Sequence, residues 1–252
     1  MLTTRTEILA DGVTLHMGDC AEILPTLAGV DAIVTDPPYG VGVKYGPAYD
    51  DKRADYWDWL RARINLARAA APLVVFTHRV SALRELADWD WAAVWNKPGA
   101  FGSRLGNSCV LPHWEPIFLY GIHKTGVQSH YASNVVTFNP EPAKAGITGV
   151  GREKWDSEFA AHPCPKPLAL YEHFLATYAQ NAKTICDPFC GSGTTGVAAV
   201  KHGRRFVGIE IEQRWFDVAC RRIAETLKQG DFFVERPACA RPAELDLTTG
   251  RP

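Results

Sequence analysis

The stretch that most restricts how this chain folds runs from Thr184 to Glu210. Thr184-Ile185-Cys186 reads as a strand. It is followed by a glycine-bearing turn, Asp187-Pro188-Phe189-Cys190-Gly191-Ser192-Gly193-Thr194-Thr195-Gly196. Val197-Ala198-Ala199-Val200 then opens a small-residue helix, and Arg205-Phe206-Val207-Gly208-Ile209-Glu210 is a second strand. Strand, glycine-rich turn, tightly packed helix and strand, in that order, is α/β architecture of the kind that hosts a nucleotide-type cofactor, because glycines let a ligand approach the backbone. The turn lacks the lysine of a phosphate-binding loop and the six-residue dinucleotide fingerprint. A ligand with a compact polar group therefore fits better than a cradled phosphate. Glu210, about eighteen residues beyond the glycines, stands where an acid reads a ribose hydroxyl pair; the alternative is a helix cap or a surface charge.

A second corner lies earlier. Val30-Asp31-Ala32-Ile33-Val34 has the β-branched and small apolar residues of a short buried parallel strand, and Thr35-Asp36-Pro37-Pro38-Tyr39-Gly40 stops it. Two prolines remove two backbone donors and keep the chain extended, and Pro37 drives Asp36 out of the helical region. The result is a stiff bend carrying a carboxylate, bare carbonyls and an aromatic ring. In open α/β sheets ligands bind at the carboxyl ends of strands. Such a bend suits a flat molecule with an amino group, with Asp36 and a carbonyl accepting its two protons and Tyr39 stacking on it. Equally compatible is an Asp-Pro-Pro turn with a capping aspartate and a core tyrosine.

The chain has 252 residues, 46% hydrophobic and 22% charged, enough for one sizeable soluble α/β core with a small inserted lobe. A net charge of -1 confines any nucleic-acid contact to a local patch. The seven cysteines form no C-x-x-C pair and no Cys/His cluster at metal-ligand spacing, so reduced thiols in a cytoplasm are expected, with no metal. No signal peptide is expected, and no apolar run approaches the ~18 residues of a membrane span.

In chain order, Val13 to Met17 is a strand ending at Gly18-Asp19-Cys20, with Asp19 either the cap of a short helix or an acceptor for a ligand amine. The loop from Val41 to Asp51 follows the Asp36 corner, where Lys44 and Tyr45 reach a phosphate or a base unless they are solvated. Trp57, Leu60, Ile64, Ala67 and Ala71 recur at helical spacing as core. Leu73–Thr77 is a buried strand with a structural His78 at its end. Ser81–Asp88 is a short helix, and Trp91–Trp95 and Trp114–Gly121 are strands. Residues 95–154 hold six Lys/Arg against three acids, interleaved with aromatics and amides, as a nucleic-acid groove needs; a solvated lobe accounts for them equally well. His162–Pro167 is a rigid lead-in to the helix Leu168–Gln180, and a helix over Gln213–Leu227 turns Trp215, Phe216, Ala219, Ile223 and Leu227 inward. The tail 235–252 is expected to be disordered.

Asp36-Pro37-Pro38-Tyr39, followed much later by Asp187-Pro188-Phe189-Cys190-Gly191-Ser192-Gly193-Thr194-Thr195, resembles the β-type DNA amino-methyltransferases, in which the catalytic motif precedes the cofactor motif. Gly18-Asp19-Cys20, His162–Pro167 and Gly208-Ile209-Glu210 match that family in order, and the resemblance covers roughly residues 13–228. It implies a Rossmann-like, circularly permuted α/β fold with a mostly parallel seven-stranded sheet and helices on both faces. Residues 1–97 would be the catalytic half, 98–155 an inserted target-recognition lobe, and 156–234 the cofactor half. It implies S-adenosylmethionine as cofactor, its methionine part held by Asp187, Phe189, Gly191, Ser192, Gly193, Thr194 and Thr195. Glu210 would take the ribose, Asp19 the adenine amino group, and Lys166 would lie near the methionine end. Asp36, Pro37, Pro38 and Tyr39 would be catalytic, and Lys44, Arg104, Lys124 and Arg152 are candidates for contacting double-stranded DNA.

Within that family an Asp at the first position goes more often with adenine N6 than with cytosine N4, so the expected activity is adenine-N6 methylation of a flipped-out nucleotide. Cytosine-N4 methylation on the same fold is the first alternative. RNA or protein-amide methylation and a non-catalytic DNA-binding module are further ones. No nuclease motif is visible in the chain, so a restriction partner would be a separate polypeptide, and a stand-alone modification enzyme is equally compatible. A homodimer and a cytoplasmic, nucleoid-associated location complete the expectations.

Overall fold

The computed structural model describes residues 5–98, 113–122, 133–139 and 166–230. Its strands are β1 (Arg5–Ala10), β2 (Val13–Met17), β3 (Ala32–Thr35), β4 (Leu73–Thr77), β5 (Trp91–Asn96), β6 (Trp114–Tyr120), β7 (Val135–Thr137), β8 (Thr184–Asp187) and β9 (Arg205–Glu210). They form one sheet in the order β1-β2-β9-β8-β3-β4-β6-β5-β7. From β2 to β4 every neighbouring pair is parallel, whereas β6 runs antiparallel to both β4 and β5, and β7 runs parallel to β5.

The seven strands read from the sequence make up the middle of this sheet, and the structure adds one strand at each edge. β1 pairs with β2 through a two-residue Asp11-Gly12 connection. Asp-Gly between two runs is a strong hairpin signal. It is easily passed over here because β1 is mostly exposed and shows no apolar alternation. β7 has three residues, too few for a periodicity to register.

Helices cover both faces. On one side lie α1 (Cys20–Ile23), α2 (Tyr56–Ala70) and α3 (Ala82–Glu85); on the other lie α4 (Leu168–Thr177), α5 (Thr194–Lys201) and α6 (Gln213–Gly230). Strand residues alternate between the two cores: Ala32, Val34, Leu73 and Val75 face α4–α6, while Ile33, Val74, Phe76 and Cys186 face α2. Burial on both faces explains why these strands read as continuous apolar runs. Phe216, Ala219 and Ile223 of α6 are fully buried, as the helical spacing predicts.

The range expected for an inserted lobe needs correction. β6 and β7 fall within 98–155 yet belong to the main sheet, β6 between β4 and β5. A continuous lobe over that range is incompatible with this. Residues 99–112, 123–132 and 140–155, and the tail 235–252, lie outside the described residues.

Candidate active site

Because β2, β9, β8, β3 and β4 are parallel neighbours, their carboxyl ends share one edge. That edge gathers Asp19, Glu210, Asp187, Asp36 and the Thr77-His78 pair from five separate places in the sequence. A cleft opens there, enclosing about 1090 Å³ of atom-free space including its mouth. Of the residues singled out from the sequence, Asp19, Asp36, Pro38, Lys166, Asp187, Phe189, Gly191, Ser192, Thr194, Thr195 and Glu210 all line it.

The Asp187–Thr195 turn owes its shape to two conditions. Gly193 precedes α5 with φ of +83°, a conformation costly for any other residue, and an added Cβ would press on Ala219 of α6 at 3.0 Å. Asp187 Oδ1 accepts from Thr35 Oγ1 at 2.5 Å and from the Phe189 N–H at 3.0 Å. Glu210 Oε2 accepts from the Gly191 N–H at 2.7 Å and Oε1 from the Glu212 N–H at 2.8 Å. Both acids are buried, and among the described residues neither forms an ion pair. Burial pushes the Asp187 carboxyl up to about 6 and that of Glu210 up to about 7, with the hydrogen bonds pulling back only in part.

Asp19 proves to be the helix cap and a cleft residue at once. Its Oδ1 accepts from the Ala21 N–H at 2.8 Å, while Oδ2 faces Arg63 at 3.3 Å. The wall beyond it is built from Trp59, Arg53 and Arg63, whose guanidinium carbons lie 5.4 and 4.8 Å from the Trp59 ring centroid. Tyr45, Ala48 and Tyr49 also line the cleft, the Tyr49 ring 5.0 Å from that of Trp59. The chain there is tied to the start of α6: Glu212 Oε1 accepts from the Ala48 and Tyr49 N–H groups, and Trp215 Nε1 donates to the Tyr45 carbonyl.

The Asp36 corner is organised differently. Asp36 Oδ1 lies 2.6 Å from Thr77 Oγ1, which donates to it, and 3.0 Å from the Tyr39 hydroxyl, while Oδ2 pairs with Lys166 Nζ at 2.8 Å. Glu115, from β6, reaches the same cluster: Oε1 pairs with Lys97 Nζ at 2.6 Å, and Oε2 lies 2.7 Å from the Tyr39 hydroxyl and 3.9 Å from Lys166 Nζ. Burial raises the Asp36 carboxyl, opposed by the Lys166 ammonium. Burial also acts to raise Glu115, but the Lys166 and Lys97 ammonium groups more than reverse it and hold it below the usual range.

Behind the corner, His78 is fully buried and stacks on Tyr39 with 4.6 Å between ring centroids. Tyr56 Oη donates to the Pro38 carbonyl, so its one proton is committed. His78 Nε2, 2.6 Å from that oxygen, must then be the protonated nitrogen. Burial takes the imidazole down to about 3, so it stays neutral, in the structural role read for it. Gly40 adopts φ of +66° against the Tyr56 ring, and Asp51 then gathers the N–H groups of Gly40, Val41, Gly42 and Val43 on one buried carboxylate.

Several expectations change in detail. The Tyr39 ring, expected to offer a stacking face, has Lys166 Nζ 4.4 Å from its centroid as well as His78 against it. Lys166, expected near the methionine end, pairs with Asp36 and lines the same cleft as the glycine turn. Lys97, counted among the cations of a DNA-facing segment, is buried in an ion pair. Lys44 is exposed next to Tyr45, whereas Arg104, Lys124 and Arg152 lie outside the described residues. Sequence reasoning passed over Glu115, Lys97 and Thr77. The available signal was a single acid, Glu115, opening the apolar run Pro116–Tyr120. Among the described residues no His/Cys/Asp/Glu group could hold a metal ion, and no helix is long and apolar enough to cross a membrane.

A family model described as DNA methylase matches residues 92–221. Type II methyltransferase M.HinfI of Haemophilus influenzae is 26% identical over 247 residues, covering 84% of this chain and 68% of that protein. Among solved structures, M1.HpyAVI in complex with SAM superposes with a TM-score of 0.56 at 23% identity, over 82% of this chain and 98% of that one. PvuII DNA methyltransferase, described as cytosine-N4-specific, gives 0.62 at 16% identity, over 86% and 91%. These two likenesses concern the fold.

Proposed function

The chain belongs to the N6/N4 DNA methylase family, and from that premise we propose that it methylates the exocyclic N6 amine of adenine, in a nucleotide flipped out of duplex DNA. It is an S-adenosylmethionine-dependent DNA methyltransferase; the choice of base and the roles of individual residues are our reading. The observation that carries it is the Asp36 carboxylate at the cleft wall, with Oδ1 accepting from Thr77 and Oδ2 paired with Lys166, where a target amine would take the ammonium's place.

The cleft fits the cofactor. Asp187 and Glu210 are buried carboxyls with hydrogen-bond donors but no cation partner among the described residues, and a ligand bearing an ammonium and a sulfonium supplies the missing positive charge. Asp187 and the turn from Phe189 to Thr195 would hold the methionine part, Glu210 the ribose, and Asp19 the adenine amino group, beside the wall that the neighbouring Phe189 and Trp59 rings form. The bound sulfonium is itself an activated methyl donor, so neither a metal nor a covalent enzyme adduct is required for the transfer.

What remains for the protein is positioning and charge. Asp36 Oδ2 accepts one amine proton, and the Pro37 carbonyl accepts the other, since the Pro38 carbonyl is engaged by Tyr56. Two acceptors on one –NH₂ draw its lone pair out of conjugation with the ring. The carboxylate also stabilises the positive charge that develops on nitrogen as the C–N bond forms and the donor's S–CH₃ bond breaks, and the surplus proton of the methylated nitrogen then leaves to water. Holding the amine in line contributes on the order of 7–11 kcal/mol at best, against a few kcal/mol spent on flipping the nucleotide. Asp rather than Ser at position 36 supports adenine over cytosine by the family resemblance. Lys44, exposed beside the cleft, is our candidate for a phosphate contact. We place the protein in the cytoplasm with its DNA.

The test is nucleoside analysis of unmethylated plasmid DNA after incubation with the protein and S-adenosylmethionine. N6-methyladenine is expected. N4-methylcytosine would overturn the base assignment, and no methylated nucleoside would overturn the activity.

A further inference from the structure

An amine entering the Asp36 corner meets an occupied acceptor. Asp36 Oδ1 accepts from Thr77, so Oδ2 is the oxygen left for the amine, and Lys166 Nζ already stands 2.8 Å from it while also donating to the Tyr39 hydroxyl at 3.1 Å. The same ammonium lies 4.4 Å from the centroid of the Tyr39 ring, which a base is to stack on. While it stays, it competes for the carboxylate and opposes the positive charge developing on the amine nitrogen. The corner also holds a second acid. Glu115 Oε2 is 3.9 Å from Lys166 Nζ, and Lys97 at 2.6 Å on the other oxygen anchors that side chain, which is only 14% exposed.

We propose that Glu115 is a positioning residue that receives the Lys166 ammonium when the target amine takes Asp36. Lys166 then has two resting places within reach of one side chain: Asp36 in the empty corner, and Glu115 once the amine is bound. The swap is short, keeps the buried ammonium paired throughout and leaves the two-acid, two-lysine cluster neutral. Without Glu115, Lys166 would have either to stay clamped on Asp36 or to give up its carboxylate partner and keep the Tyr39 hydroxyl, 3.1 Å away, in its place, and a buried ammonium that loses its counter-charge is expensive. Tyr39 bridges the two acids through its hydroxyl, 3.0 Å from Asp36 and 2.7 Å from Glu115. It has one proton for two acceptors, and the shorter distance marks Glu115 as the stronger claim on it. Lys97 holds Glu115 in place and keeps it ionised.

This inference rests on the proposed role of Asp36, and its tests separate the two. In the crystal structure of the Asp36→Asn variant, Lys166 Nζ should move to within about 3 Å of Glu115 Oε2, as charge-assisted hydrogen bonds require. An ammonium turned into the cleft, or left at its present distance from Glu115, would overturn the proposal without any measurement of activity. In single-turnover transfer from labelled S-adenosylmethionine to unmethylated plasmid DNA, Glu115→Gln should slow the step roughly 30-fold with cofactor affinity unchanged, and Glu115→Asp should recover most of that loss. A Glu115→Gln variant transferring at the wild-type rate, or losing cofactor affinity and rate together, sinks it. If the wild-type protein transfers nothing to DNA, the functional reading fails, while the position of Lys166 in the Asp36→Asn crystal still decides this one.

Discussion

Asp36, Asp187 and Glu210 line one cleft, Glu115 joins Asp36 from β6, and the two pairs of carboxylates are treated in opposite ways. Asp36 and Glu115 each have a lysine within 2.8 Å, so that corner is neutral by itself. Asp187 and Glu210 are buried as deeply but are held only by backbone N–H groups and hydroxyls, and burial carries them up to about 6 and about 7. A carboxylate satisfied by hydrogen bonds alone still prefers a cation, whereas one already paired gains little from another. The contrast separates binding from chemistry. In the proposed reading the unpaired acids attract a positively charged ligand, and the paired ones work on a neutral amine by exchanging one partner for another.

The harshest way to break the comparison is Asp36→Ala. It should cut the transfer rate on the order of a thousandfold while calorimetry with S-adenosylmethionine stays within a few-fold of wild type. Near-normal turnover would remove Asp36 from the mechanism. Lys97→Met attacks the pairing itself. It leaves Glu115 buried beside one fewer ammonium and should cost about 3 kcal/mol in chemical denaturation, more than the Lys97→Met/Glu115→Gln double variant costs.

On the unpaired side, Glu210→Ala should weaken S-adenosylmethionine by about 2 kcal/mol with the transfer rate at saturation little altered, and unchanged calorimetric binding would cancel the ribose assignment. The smallest effect is in pH. The raised carboxyls of Asp187 and Glu210 are protonated in the free protein where the unfolded chain is already ionised, so their contribution to stability falls as pH rises from about 4 through 7. His78, taken down to about 3, acts with the opposite sign: its contribution is present above about 6.5 and is lost as pH falls below that. The two partly cancel in the free protein. The ligand-induced shift in Tm isolates the acids, because a cationic ligand favours their ionised forms. Cofactor affinity should rise roughly tenfold between pH 6 and 8 with release of protons; affinity flat with pH would mean that these acids do not face the cofactor's charge.

Much of this was legible beforehand. The seven inner strands, the α6 face with Phe216 and Ile223, and the gathering of Asp19, Asp36, Asp187 and Glu210 at one edge follow from local patterns, because a parallel sheet buried on both faces writes itself as short apolar runs ending in turns. The added strands escaped for local reasons too: β1 has no apolar face to show, and β7 is too short. Glu115 and Lys97 are a different matter. They read as one acid and one base in a basic segment, and nothing local to either says that they meet.

From the linear order of residues alone came a parallel α/β sheet with two proline-stiffened, acid-bearing corners, since backbone conformation and strand burial depend on near neighbours. Which acids would be paired was decided only in three dimensions. β6 enters between β4 and β5 against their direction, which brings the start of its chain, with Glu115, to the edge where the others end. Lys97 and Lys166 then converge on it from distant parts of the chain, and charge interactions across such separations are set by where elements pack, not by what lies beside them in sequence.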